Sequence, residues 1–352
     1  MGHVDQPLVP VSSDPPNAAT PFSALRRAVV PNESFYVRCN FPVPTVEASS
    51  WTLTVEGSVA VPAQYDLADL GALPFVRSVV TMECAGNGRV LMDPVPAGTP
   101  WGLGAVSAAE FGGARLRDLV AAAQPAPDTA DLVFTGADRG VVDPEGEIPY
   151  AFSLPLAEVN STDPILAWEM NGEPLPEEHG FPLRLVVPGG YGMQSVKWLS
   201  GIIALQQPFE GHFVRKYRFF GDADELEGTP VSRMKVRSLV LDPAEGAILP
   251  LSDMTISGIA WSGAAPIAGV EVDVGDGWMG ATVEASSQHP HAPVRWSVPW
   301  TPEQPGPVAI RAQATDASGD RQPLQSRWNA NGYANNVVHR VDVVVAEPST
   351  PE

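Results

Sequence analysis

Thr81-Met82-Glu83-Cys84-Ala85-Gly86-Asn87-Gly88-Arg89 is the stretch on which the reading of this chain turns. The apolar run Val76 to Met82 reads as a strand that delivers a cysteine into a turn of small residues, with a cation a few positions on. Gly86 and Gly88 let the backbone approach a bulky ligand, and the cation and the N–H groups of the turn would lower the pKa of the thiol. A soft thiolate selects redox metals over magnesium or calcium. The same pattern suits an inert, buried cysteine beside a glycine turn, which is the commoner state of a lone cysteine.

On either side of this stretch, 37 prolines and 32 glycines point to many short elements broken by turns. Trp51, Leu53 and Val55 alternate with Thr52, Thr54 and Glu56 as a half-buried strand. Residues 114–123 are predicted to be a helix, with Leu116, Leu119 and Val120 on one face and Gly112–Gly113 before it. A strand from Asp131 to Thr135 is expected to end in the turn Gly136-Ala137-Asp138. The apolar strand Leu183 to Val187 stops at Pro188-Gly189-Gly190. This half reads as mixed α+β.

From about Lys235 the pattern changes. Val270, Val272 and Val274 alternate with Glu271 and Asp273 before the hairpin turn Asp276-Gly277 and Trp278. Further strands are expected at 254–260, 308–315 and 338–345, with no helical periodicity after Val236, which describes an antiparallel β-sandwich. The expected division is an extension over 1–25, an α+β unit over 26–232, an all-β unit over 233–347 and a tail over 348–352. The boundary falls between Gly221 and Val236, where Asp222, Asp224, Glu225 and Glu227 form an acidic stretch.

The formal charge is −20. A surface of that sign repels phosphate backbones and anionic lipid, so neither nucleic acid nor a membrane surface is expected as a partner. Any anionic substrate has to be drawn into a local basic pocket. No run of about 18 apolar residues suggests a membrane span. Neither a basic-then-apolar signal nor a twin-arginine motif opens the chain, so cytoplasmic residence is expected. The two cysteines, Cys39 and Cys84, make neither a disulfide scaffold nor a CxxC zinc site. One bridge between them is open, though a reducing compartment argues against it. His289 and His291 form a His-Pro-His loop too poor in ligands for a firm metal site, and His179 reads as structural. The run Phe213, Arg215, Lys216, Tyr217, Arg218, Phe219 and Phe220 reads as a core strand with snorkelling cations, with the edge of an anionic cofactor or an electron-transfer partner as alternatives.

Several segments together resemble one family. These are Phe35-Tyr36-Val37-Arg38-Cys39-Asn40-Phe41-Pro42-Val43-Pro44, the Cys84 stretch, Trp168-Glu169-Met170-Asn171-Gly172-Glu173-Pro174-Leu175-Pro176, and His179-Gly180-Phe181-Pro182-Leu183-Arg184 running on to Val196-Lys197-Trp198-Leu199. With Trp328-Asn329, Asn335, Asn336, His339 and Arg340 near the C-terminus, they span residues 30 to 346 in order and are similar to the sulfite oxidase family of molybdenum-cofactor oxidoreductases, of the haem-free bacterial or plant-like type. The resemblance implies a molybdopterin-binding domain followed by an immunoglobulin-like dimerisation domain, and hence a homodimer. It implies that Cys84 is the protein ligand to molybdenum, whose other ligands are the pterin dithiolene and oxo groups. Arg38 and Arg89 would face the substrate, Trp101 and Trp168 would line its pocket, and Asn40, Asp138 and Lys197 would join Arg38 on the cofactor. Arginine suits such a role because its fixed fork of donors fits an oxyanion and stays charged.

The chain also departs from that pattern. Cys39 and Asn40 stand where a histidine is usual, and Trp168 stands where a tyrosine is. Ser262-Gly263-Ala264-Ala265-Pro266 lacks an arginine that normally follows its Ser-Gly turn, and Gly192-Met193-Gln194 lacks one found in the animal enzymes. Each lost charge-assisted hydrogen bond should weaken oxyanion binding by about 1.5–3 kcal/mol. The leading expectation is two-electron oxygen-atom transfer from sulfite to sulfate. With no CxxCH motif and no added haem domain, the electrons are expected to leave to a separate acceptor: a cytochrome, a dye or dioxygen. A reductase of an S-oxide, N-oxide or nitrate and a cofactor-free binding protein are the competing readings.

Overall fold

β-Branched and aromatic residues in period-two runs dominate both halves of the chain, and strands are what they form. The computed structural model describes residues 7–220, 228–284 and 289–347. The acidic stretch 222–227, expected to carry the boundary, and the expected tail 348–352 lie outside the described residues.

The first half holds two five-stranded sheets. One runs Glu173–Pro174, Ile165–Met170, Val106–Arg115, Phe75–Glu83, with Arg184–Val186 also paired to Ile165–Met170. The other runs Ala63–Tyr65, Leu53–Gly57, Leu199–Leu205, Asp131–Val142, Gly146–Pro155. Leu53–Gly57 and Leu199–Leu205 are parallel, and their neighbours are antiparallel. One apolar core joins both sheets, with Leu53, Phe134 and Ile202 from one and Val80, Phe111 and Leu166 from the other. Burial of each such side chain contributes about 1.5–3 kcal/mol.

Two local expectations are corrected here. The helix begins at Leu116, not Ala114, because Ala114 and Arg115 complete the strand Val106–Arg115. Gly112 and Gly113 are strand residues: a Cβ on Gly113 would meet the Leu166 carbonyl oxygen at 1.9 Å, so glycine is what lets the neighbouring strand pass. The strand at Asp131 runs on to Val142, and what reads as a terminal turn is a bulge between Thr135 and Arg139. A bulge re-aims the residues within it, and this one contains Asp138.

Residues expected to be an extension are part of the fold. Val9–Ser13 and Pro16–Ala19 form an antiparallel pair that adds to Val37–Arg38, with Asn17 opposite Arg38. The aromatic and basic run forms a short helix, His212–Lys216, and then the strand Arg218–Phe219, which pairs with Thr229–Pro230.

The second half is a sandwich. One sheet runs Arg237–Asp242, Met254–Trp261, Val294–Trp300, Thr282–Val283, and the other runs Ile248–Leu249, His339–Val345, Gly306–Asp316, Ile267–Asp273, Trp278–Gly280. Ile256, Trp296 and Val298 of the first meet Val270, Val272, Ile310, Val341 and Val343 of the second. The expected hairpin forms between Ile267–Asp273 and Trp278–Gly280, where Asp273 Oδ1 accepts from the Gly275 and Gly277 amides, both glycines at positive φ. Among the described residues no helix follows His212–Lys216, and none is long and apolar enough to cross a membrane. Leu239, Leu241, Ile259 and Trp261 turn away from the sandwich into the first core. The two halves therefore share an apolar seam, and it runs beneath Cys84.

Candidate active site

Strand Phe75–Glu83 ends against the second half and releases the chain into the Cys84 loop. Main-chain bonds fix that loop: Cys84 N to Ala105 O at 2.9 Å, Asn87 N to Cys84 O at 2.9 Å and Gly88 N to Gly102 O at 2.7 Å. Asn87 Oδ1 accepts from Ala105 N at 3.1 Å, and Gly88 takes a φ of 81°, which glycine adopts without strain. The sulfur opens into a cleft walled by Tyr36, Arg38, Tyr150, Arg184 and Lys197.

Of the residues expected at the site, the cleft brings together Arg38, Asn40, Cys84, Asp138 and Lys197. Arg38 sits on the strand held by the N-terminal pair. Its guanidinium donates to Asn17 Oδ1 at 3.3 Å, to Asn40 Oδ1 at 2.7 Å and to the Cys39 carbonyl. Buried Asn17 also accepts from Cys39 N at 3.0 Å, so the first strands of the chain set the direction of this arginine. Lys197 Nζ donates to Glu178 O at 2.8 Å and to Cys39 Sγ at 3.2 Å. Cys39 therefore lines the cleft, and both cysteines are free.

The Asp138 carboxyl is pushed up to about 6 by burial, against the pull of Lys197, and its Oδ1 is buried with no partner. A Cβ on Gly136 would lie 2.4 Å from that oxygen, so the bulge that aims Asp138 inward needs glycine there. Burial pushes the Cys84 thiol up, and Arg38, the Gly86 amide and Arg89 pull it down by less. The lowered thiol pKa expected from the sequence is thus overturned for the protein alone, because desolvation outweighs the cations. A metal ion bound there would reverse the balance.

Three expected residues do not line the cleft. Arg89 is turned away from it, donating to Thr99 O at 2.6 Å and Asn331 O at 2.9 Å and lying over the Tyr333 ring at 5.3 Å. It acts as a strut, packed where a Cβ on Gly86, Gly98 or Gly332 would come within 2.7–3.0 Å of its side chain. Trp101 is fully buried behind Tyr36, edge-on with ring centres 6.5 Å apart. Trp168 packs on Phe75, 5.9 Å between rings, at the bulge where Ile165–Met170 slips register against Val106–Arg115 between Ala167 and Glu169.

The sequence reading missed Arg184 and three tyrosines. Arg184 is 3% exposed, lines the cleft and has no carboxylate partner among the described residues. Its guanidinium donates to His179 O at 3.0 Å and Ser195 O at 3.3 Å, and its Nε has no partner. Burial brings it down to about 10. A cation inside the apolar run Leu183 to Val187 was the available signal. Tyr36, Tyr150 and Tyr217 line the same cleft, with Tyr150 fixed by its bond to Met193 O at 2.7 Å. Among the described residues no three of His, Cys, Asp or Glu gather as a metal site. An anionic metal–pterin group fits what is present: Arg38, Arg184 and Lys197 outnumber the one carboxyl that lines the cleft, Asp138, and Asp138 Oδ1 and Arg184 Nε are partners left unmade.

His179 is structural, as expected, though it also reaches the cleft wall. Its Nε2 meets Asn32 O at 3.1 Å, and burial, reinforced by Lys197 and Arg184, lowers it to about 3. His339 is likewise lowered by burial to about 4. In the unfolded chain both imidazoles take up protons near 6.5, so stability falls as pH drops through that value. Asp138 works the other way, because its raised carboxyl takes up a proton first in the folded chain. Denaturant unfolding of the cofactor-free chain should show about 2–3 kcal/mol less stability at pH 5 than at pH 7. Equal values at the two pH values would contradict burial of these imidazoles in the neutral form.

Comparison with known proteins agrees with this geometry. Residues 40–213 match the family model of the oxidoreductase molybdopterin binding domain, and residues 229–346 that of the Mo-co oxidoreductase dimerisation domain. The chain is 35% identical to mitochondrial sulfite oxidase of Drosophila melanogaster, over 96% of this chain and 63% of that protein. It is 33% identical to the Homo sapiens enzyme, over 97% of this chain and 67% of that one, and 31% identical to sulfite oxidase of Arabidopsis thaliana, over 94% and 92%. It thus spans about two thirds of the animal relatives. Among solved structures, the sulfane dehydrogenase SoxCD of Paracoccus pantotrophus superposes with a TM-score of 0.81 at 26% identity, covering 94% of this chain and 84% of that one.

Proposed function

The chain belongs to the sulfite oxidase family of molybdopterin oxidoreductases, and from that premise we propose that it oxidises sulfite to sulfate and passes the electrons to an external acceptor. The observation that carries this reading is the cleft itself, where a buried thiol stands among three cations that have no carboxylate partner among the described residues. Sulfite and water give sulfate, two protons and two electrons. When bound, the molybdenum–pterin group supplies the oxygen-atom transfer and stores those electrons until the acceptor takes them.

The chain's own residues hold, orient and shield. Cys84 would hold the metal through its sulfur. Arg184 and Lys197 would hold the anionic part of the pterin, with Asp138 accepting from its N–H groups and Asn40 completing the rim. Arg38, aimed by Asn17 and Asn40, would hold the substrate oxyanion through its fork of donors. Tyr36 and Tyr217 would offer hydroxyls to the same oxygens, while the Tyr150 hydroxyl is already donated to Met193 O. Trp101 backs Tyr36, and Arg89 braces the loop beneath Cys84 from one remove. Phe35 and Met82 line the same cleft, where their apolar side chains would help keep bulk water out. The catalytic unit is assigned to residues 26–232 together with the strands Val9–Ser13 and Pro16–Ala19 that aim Arg38, and pairing of two copies to residues 233–347. Cytoplasmic residence belongs to the same proposal.

Reduction of an S-oxide, N-oxide or nitrate is the competing reading, which the arginine missing after Ser262-Gly263 and an apolar Trp168 in the pocket would favour. That side chain packs outside the cleft and three phenols stand inside it, which favours the oxyanion. Steady-state assays of the loaded enzyme should show sulfite-dependent reduction of a dye. Reduction of S-oxides by a reduced dye, with no response to sulfite, would reverse the assignment.

A further inference from the structure

Glu83 and Cys84 are consecutive at the end of a strand, so their side chains leave it on opposite sides. The sulfur enters the cleft, and the carboxylate enters the seam with the second half. There Glu83 Oε1 accepts from Arg237 Nη1 at 2.6 Å and from Asn87 Nδ2 at 3.0 Å, and Oε2 accepts from Trp261 Nε1 at 3.0 Å. The ion pair is fully buried, its side chains 1% and 2% exposed.

Arg237 carries the network onward, from Nη1 to Asn87 O at 3.4 Å and from Nη2 to the Asn335 carbonyl. A Cβ on Gly88 would lie 2.7 Å from Arg237 Nη2, so that glycine lets the guanidinium sit beneath the Cys84 loop. The same region of the second half takes the loop's main chain directly. Asn335 Nδ2 donates to Gly88 O at 2.8 Å, and Ala334 N donates to Ala85 O at 2.8 Å.

Stability alone does not account for such a pair, because apolar residues of equal volume commonly serve as well or better once desolvation is counted. What the pair supplies is direction. The Glu83 carboxylate is held by three donors from two parts of the chain, and the next residue along is the cysteine. We propose that Glu83, Arg237 and Trp261 are positioning residues for the Cys84 sulfur, so that the second half of the chain fixes the geometry of the metal-binding loop as well as pairing copies. The inference rests on Cys84 being the metal ligand.

The test uses enzyme produced with its cofactor and reads molybdenum and pterin per folded chain, together with the midpoint potential of the bound metal. Arg237→Gln leaves a buried carboxylate uncompensated one residue from the ligand. It should lower cofactor content about tenfold and move the potential to more negative values. Glu83→Gln with Arg237→Gln replaces the ion pair by two amides able to bond each other, and content should return to within about threefold of the parent. Trp261→Phe keeps both charges and removes one bond to the carboxylate, for a loss of about threefold.

If the single variants lower the melting temperature but leave content and potential at parental values, the pair is only structural and the proposal is overturned. Should Arg237→Gln fail to fold, Trp261→Phe decides alone: unchanged content and potential overturn the proposal. An unchanged sulfur shell around the metal in Cys84→Ser would instead remove the reading on which it rests, an outcome separate from these.

Discussion

Cys84→Ser is expected to abolish turnover in enzyme produced with its cofactor while leaving the fold and the melting temperature close to parental. The substitution exchanges sulfur for oxygen at a site 8% exposed, inside a loop whose shape is set by main-chain bonds from Ala105, Gly102 and Ala334. None of those bonds uses the side chain, so the loop should persist. What is lost is a soft donor. A serine hydroxyl stays protonated where a thiol at a highly charged metal is deprotonated outright, and it does not replace thiolate in binding a soft site. Sulfite oxidation by Cys84→Ser at more than a small fraction of the parental rate would contradict the assignment.

Arg184→Gln should have the next largest effect, and on cofactor retention above all. Arg184 is buried among Met82, Phe111 and main-chain carbonyls, and burial already lowers its pKa to about 10. No carboxylate among the described residues pairs with it, so glutamine leaves no orphaned charge behind and can still donate to one of the two carbonyls. The charge-assisted bonds to an anionic ligand disappear. At about 1.5–3 kcal/mol each, one or two such bonds correspond to a loss of roughly one to four orders of magnitude in affinity for the pterin group. Molybdenum and pterin content should fall sharply while the cofactor-free chain unfolds near its parental temperature. Undiminished content would show that this buried cation serves the protein core alone.

The division into an α+β half and a β-sandwich was legible in the sequence because each half writes its period plainly. Val270, Val272 and Val274 alternate without interruption, and Leu116, Leu119 and Val120 share one helical face. The errors came where one residue type serves two ends. Gly112–Gly113 read as the break before a helix, but they are the smooth track along which Leu166 crosses. Gly136-Ala137-Asp138 read as the end of a strand, and a bulge there carries the strand onward. Local propensity does not distinguish those outcomes, because the deciding atom belongs to a strand remote in sequence.

The site was legible to the extent that its residues sit in motifs. Cys84, Arg38, Asn40, Asp138 and Lys197 meet in one cleft. Trp168 packs against Phe75 and Arg89 bonds Thr99 O and Asn331 O, contacts with residues remote from their motifs that local spacing does not announce. The cleft's tyrosines come from three segments distant in sequence, and nothing local marks Tyr150 as different from any core aromatic. The Glu83–Arg237 pair joins residues 154 positions apart and has no trace in the sequence short of the fold itself.

X-ray absorption at the molybdenum edge of the loaded enzyme tests the central claim most directly. The account predicts a sulfur shell around the metal that loses one scatterer in Cys84→Ser and gains a lighter one in its place. An identical sulfur shell in parent and variant would place the metal away from Cys84 and contradict it.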